Sequence, residues 1–200
     1  MDARLADHLD AIEQLRAEQA RLLHRELGGI LAAVRMRMST LGATPDAGQL
    51  AQLDGQLAEA LSIKQRIVEA LWPSLLDHFG PGVALAAHFE TQCRDRGVSF
   101  EGDVPFGLPV PAPDEAILLY RVGEAALARA LDEGARSLRL SVVLEAGMYR
   151  LRVVAENASR KPMETGGFEL YVPWLLRHGG RLDCRAEGMR RVVEAVIPLR

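Results

Sequence analysis

Apolar residues recur along the first forty positions in steps of three and four, at Leu5, Leu9, Ile12, Leu23, Leu27, Ile30, Val34, Met38 and Leu41, with Arg16 and Gln19 filling the middle steps. That spacing keeps one stripe on one face of a helix. At 1.5 Å per residue the helix would be roughly 55 Å long. A helix of that length with one apolar side needs another helix along its whole face. Two successive steps of four around Leu23 and Leu27 interrupt the heptad and alter the local supercoil. Gly28 and Gly29 follow directly, each costing about 1 kcal/mol against alanine, which suits a kink or a close approach of another surface. Gly42–Gly48 predicts a turn, and a second helix runs from about Gln49 to Trp72. Leu50, Leu53, Leu57, Ala60, Lys64, Ile67 and Leu71 form its stripe, with Lys64 the one poor member. Two antiparallel helices with one stripe each cannot close a core, whereas a homodimer making a four-helix bundle can.

After Pro73 the pattern changes. A shorter helix is predicted over Gly82–Arg96, then a strand at Val98–Phe100 and a proline-rich loop over Gly102–Pro113. Asp114–Glu133 again has helical spacing. Two strands, Ser137–Leu144 and Tyr149–Ala155, meet at a tight turn on Glu145-Ala146-Gly147. A loop and helix fill Ala158–His178, and a last hairpin pairs Arg181–Arg185 with Arg191–Ile197. The fold class expected is α+β: a helical hairpin over residues 1–73 that dimerises, then an α/β sandwich over residues 74–200 with a mixed or antiparallel sheet of four or five strands.

The chain has 200 residues, 48% apolar and 26% charged, with a net charge of −3. That balance gives no support for nucleic-acid or anionic-membrane binding. No apolar run approaches the roughly 20 residues needed to span a bilayer, and the acidic start does not resemble a signal peptide. Cys93 and Cys184 have no metal or redox spacing, so reduced thiols and a cytoplasmic setting are expected. His8, His78, His88 and His178 show no ligand spacing, and neither a metal nor a cofactor is expected. Arg35, Arg37, Arg190 and Arg191 are expected on solvated faces, and Ser39 and Thr40 lack partners for hydrolase chemistry.

Four segments carry a family resemblance. Leu23-His24-Arg25-Glu26-Leu27-Gly28 resembles a histidine box of the form His-Asp-x-x-x-Gln. The run from Trp72-Pro73 to Phe79-Gly80 resembles a link with a Pro-x-x-Leu-x-x-x-Gly pattern. Leu119-Tyr120-Arg121-Val122 is similar to the start of a nucleotide-binding helix, and His178–Leu182 with Val196–Leu199 is similar to a C-terminal ending. In this order they resemble the two-component sensor histidine kinases, over the chain from about residue 15 onward. The resemblance implies that His24 is the phosphorylated residue.

The same resemblance shows what has been lost. The family's nucleotide-binding Glu and magnesium-binding Asn fall on Ala125 and Arg129, and arginine offers a metal no oxygen. Its Asp-Asn-Gly appears as Glu156-Asn157-Ala158, and its glycine-rich lid shrinks to Glu164-Thr165-Gly166-Gly167, too few glycines to cradle phosphates. The acidic residue after the histidine is Arg25, and the glutamine five places on is Gly29. ATP-dependent autokinase activity is therefore not expected. His24 shares a face with Gly28, Leu31 and Arg35, which with Arg25 make a docking surface for an acidic phosphoryl donor. The function expected is histidine phosphotransfer to or from response-regulator receiver domains. The alternatives are a non-enzymatic pseudokinase that regulates a histidine kinase or response regulator by binding, and a true kinase with an altered pocket.

Overall fold

The computed structural model describes residues 2–40, 47–156 and 168–199. Its elements are α1 (Asp2–Thr40), α2 (Ala47–Leu71), α3 (Ser74–Arg96), β1 (Ser99–Asp103), α4 (Pro113–Asp132), β2 (Ser137–Glu145), β3 (Met148–Glu156), α5 (Tyr171–Arg177), β4 (Arg181–Glu187) and β5 (Arg190–Pro198). They form two compact units, Ala11–Pro73 and Met1–Asp10 with Ser74–Arg200. Most of the predicted Gly42–Gly48 turn lies outside the described residues, as do Asn157 and the Glu164–Gly167 segment.

In the helical unit α1 runs unbroken through Gly28 and Gly29. Arg35 meets Asp54 of α2 at 3.7 Å, and Lys64 of α2 reaches Gly28, so the two helices are antiparallel. On α1 the predicted stripe is not the row that is buried, whereas on α2 the buried Leu57 and Lys64 belong to it. Within the single chain Glu13, Ala17 and Ala20 are buried on α1, and Leu57, Lys64 and Val68 on α2. Ile12, Leu27, Ile30 and Val34 remain exposed, as do Leu53 and Ile67. On α1 the small Ala17 and Ala20 let the α2 side chains Leu57 and Val68 be buried, while bulkier α1 residues are left outward.

In the second unit the strand order is β1-β2-β3-β5-β4, with β1 parallel to β2 and all other pairs antiparallel. The parallel pair needs a crossover, which α4 supplies. Leu138, Leu140 and Val142 on β2 align with Ala155, Val153 and Leu151 on β3, which in turn align with Arg191, Val193 and Ala195 on β5. These positions share one face because side chains alternate along a strand, and α4 lies against that face. The β2–β3 turn has positive φ at both Ala146 (50°) and Gly147 (73°), the conformation that matches strand twist in a two-residue hairpin.

Residues 74–79, expected as a link, are helical. Gly80 (φ 77°, ψ 178°) breaks α3, and Pro81 starts its second part. Proline suits that place because a first-turn residue needs no N–H partner. Leu85 of α3 is fully buried against Gly123 of α4, where a Cβ would come within 2.6 Å of it. Phe89 packs on Phe100 with ring centroids 5.6 Å apart. Residues 7 and 10 of α1 join this unit: Trp174 donates from Nε1 to Asp10 at 2.5 Å, and Arg177 pairs with both Asp7 and Asp10.

Two glycines separate packing from propensity. At Gly180 a Cβ would lie 2.5 Å from the Val196 carbonyl oxygen and 2.6 Å from Ile197, whereas at Gly29 nothing lies within 4 Å. Gly180→Ala is expected to destabilise by about 1–3 kcal/mol. Gly29→Ala should stabilise by about 1 kcal/mol. Urea unfolding followed by circular dichroism reads both.

Candidate functional site

His24 stands on α1 with an exposed side chain, and among the described residues it makes no hydrogen bond or ion pair. Its ring is therefore open to a partner, as in-line attack on phosphorus requires. Arg25, beside it, is turned to Glu26 in a 2.9 Å ion pair. Glu26 thus neutralises the cation that stands where the histidine box would carry an acid. Of the face predicted to share docking with His24, Gly28 and Leu31 are half-buried and Arg35 is exposed. An open hollow of about 450 Å³ runs along α1, lined by Leu15, Glu18, Gln19, Arg21, Leu22 and Arg25.

The second candidate region lies where α4 meets β3 and β5. Ala125 and Arg129 are one turn apart on α4, both half-buried, and Glu156 is exposed at the end of β3. The Arg129 guanidinium pairs with Glu133 at 2.9 Å, and the other Glu133 oxygen faces Arg191 of β5 at 3.3 Å. Arg129 also stacks over the buried Phe168 ring, 6.0 Å from its centroid. The space left among Ala126, Arg129, Glu133, Val153, Val193 and Arg191 is about 10 Å³, room for one water at most. Arginine and alanine provide no oxygen for a cation, and the Glu133 carboxylate is engaged by two guanidinium groups. Among the described residues no group of three or more His, Cys, Asp or Glu side chains could hold a metal ion.

Arg191 corrects an expectation. It was expected on a solvated face, yet it is 4% exposed. The alternation of β5 places it on the inner face with Val193 and Ala195, where Glu133 gives it a counter-charge. Its neighbour Arg190 points to the other side and is half-buried. Glu133, Arg191 and Phe168 were not singled out from sequence; the one available signal was Arg191 occupying an inward position in an alternating strand. Arg121, inside the Leu-Tyr-Arg-Val segment, is also buried, paired with Glu124 at 2.8 Å and stacked 5.7 Å from the Tyr120 centroid.

Both cysteines are free. Burial pushes the Cys184 thiol up to about 11, with Asp183 adding to the rise and Arg129 opposing it. Burial raises Cys93 as well. Both thiols are therefore protonated and poorly nucleophilic near neutral pH. A separate groove of about 610 Å³ lies between α3 and β1, lined by Ala87, Glu90, Cys93, Phe100 and the exposed Phe106.

One solved structure matches this arrangement over nearly its whole length. It is the histidine kinase domain of the blue-light activated histidine kinase EL346 from Erythrobacter litoralis, at 18% identity and a TM-score of 0.56, covering 91% of this chain and 94% of that one. The chain has a histidine-kinase-like fold. The longer EL346 structure (17% identity, TM-score 0.49, 87% and 60% coverage) and the Acinetobacter baumannii histidine kinase AdeS (15%, 0.45, 88% and 96%) also match, but more loosely. The fold assignment rests on the first. No protein-family model matches the sequence. No curated protein matches it either. Among the described residues no helix is long and apolar enough to cross a membrane.

The shared carboxylate at Glu133 should matter most to stability. Glu133→Ala leaves the buried Arg191 and the half-buried Arg129 facing each other without it, and is expected to cost about 3 kcal/mol. The urea midpoint measures this, and Glu133→Gln should fall between the two.

Proposed function

We propose that this protein is a dimeric histidine phosphotransfer protein that passes phosphoryl groups to or from response-regulator aspartates through His24, without an ATP-dependent kinase step. The observation that carries the proposal is the contrast between its two candidate centres. An imidazole is open to solvent on a long helix, while the spot on α4 where the family resemblance implies nucleotide and magnesium is filled by Arg129, Glu133 and Arg191. The dimer is supported by the outward row of Ile12, Leu15, Leu22, Leu27, Ile30 and Val34 on α1, all at least 40% exposed in one chain. A row of that kind on a long helix is stabilised by a second apolar face. The helical hairpin is proposed to end near Pro73, with the ATPase-like domain following.

In the transfer, the lone pair of a neutral His24 nitrogen attacks the phosphorus of an aspartyl phosphate. The N–P bond forms as the P–O bond to aspartate breaks, and the carboxylate leaves. The receiver supplies its own metal and most catalytic groups, so this chain needs to contribute only an exposed, helix-held imidazole and a surface to dock on. Arg25 and Arg35 on the exposed side of α1 complement an acidic receiver face.

Arg25 also favours a second reading, regulation by binding alone, because a cation directly after the histidine aids no proton removal. Incubation with a phosphorylated receiver domain separates the two. Phosphotransfer predicts acid-labile phosphate on the wild type and none on His24→Ala. Regulation by binding predicts no label on either and partner affinity that survives the substitution. Titration calorimetry with magnesium ATP is expected to give no saturable heat up to millimolar concentration; sub-millimolar binding would restore the kinase reading.

A further inference from the structure

Lys64 is the one charged member of the apolar row on α2, and it is 8% exposed. Among the described residues it makes no hydrogen bond or ion pair. Its stem is buried while its ammonium reaches solvent, as a long cationic side chain does from an apolar row. Its ammonium lies 3.1 Å from where a Gly28 Cβ would stand, so any side chain at Gly28 would press against it. His24 and Gly28 are one turn apart on the same face, about 6 Å along the axis. Arg25 and Arg35 are each paired with a carboxylate, Glu26 and Asp54, whereas Arg21 is exposed one turn before His24. Lys64 is the cation set against Gly28.

We infer that Lys64 is an anion-binding residue that receives the oxygens of the phosphoryl group carried by His24, with Gly28 keeping its approach open. This rests on His24 being the phosphorylated residue. The ammonium is compact, carries three donors and sits on a flexible stem, which suits a tetrahedral group arriving from outside. A phosphoryl group with up to two negative charges supplies the counter-charge that the folded hairpin lacks. Lys64 thus acts on the phosphoryl oxygens, and His24 remains the nucleophile.

The test needs no partner protein. Phosphoramidate phosphorylates histidine directly, the ring nitrogen displacing ammonia from phosphorus, and intact mass with ³¹P NMR follows the acid-labile product on the full chain. His24→Ala sets the background. Lys64→Met is expected to load about tenfold more slowly, the loss of one hydrogen bond between charged groups, and to shift the phosphohistidine ³¹P resonance. Lys64→Arg should stay within about twofold of wild type. Thermal unfolding of Lys64→Met should be unchanged or at higher temperature. Equal loading rates and resonances in Lys64→Met and wild type would overturn the inference, as would a wild type that phosphoramidate does not label at His24. A lower unfolding temperature for Lys64→Met would overturn it too, assigning the lysine to packing. The relay proposal fails separately, if His24 loads from phosphoramidate but never from a phosphorylated receiver.

Discussion

The carboxylate of Glu133, held between Arg129 on its own helix and Arg191 on β5, ties α4 to the sheet and determines what that corner of the molecule can do. An ion pair in this position has two consequences. It gives a counter-charge to the Arg191 guanidinium buried on the inward face of β5. It also fills the space between α4 and β5, where about 10 Å³ is left. The stability of the second unit and its lack of room at this spot thus have one physical cause, and that is why the reactive chemistry is assigned to the other unit.

In the helical unit the governing constraint is residue size. Ala17 and Ala20 occupy the buried row, and Gly28 admits the tip of Lys64. Larger residues of α1, such as Ile12, Leu27 and Ile30, are left exposed, while α2 buries Leu57 and Val68. His24 lies at the edge of these two surfaces. It is held by a helix whose inner side is committed to α2, yet its ring remains accessible.

Much of the architecture was legible in the hydrophobic spacing. Helical periodicity placed α1, α2 and α4, and alternation placed β2, β3 and β5, because those elements each bury one regular face. Residues 74–79 were missed because a Pro and a Gly bracket them, and a single turn of helix has too few positions to show a period. The stripe on α1 was read as the face of a dimeric bundle, and within one chain Ile12, Leu27, Ile30 and Val34 are exposed. Periodicity reports that a face is apolar, and says nothing of whether the covering surface belongs to the same chain.

The candidate site divides in the same way. The sequence alone marked His24, Arg25, Ala125 and Arg129 as candidates, since each is a matter of residue type at a position. Only the tertiary structure could join Arg129 and Glu133 to Arg191, some sixty residues away, or set the Lys64 ammonium against Gly28. A counter-charge and a cavity are properties of distance between elements, and distance between elements is created by folding, not written in local spacing.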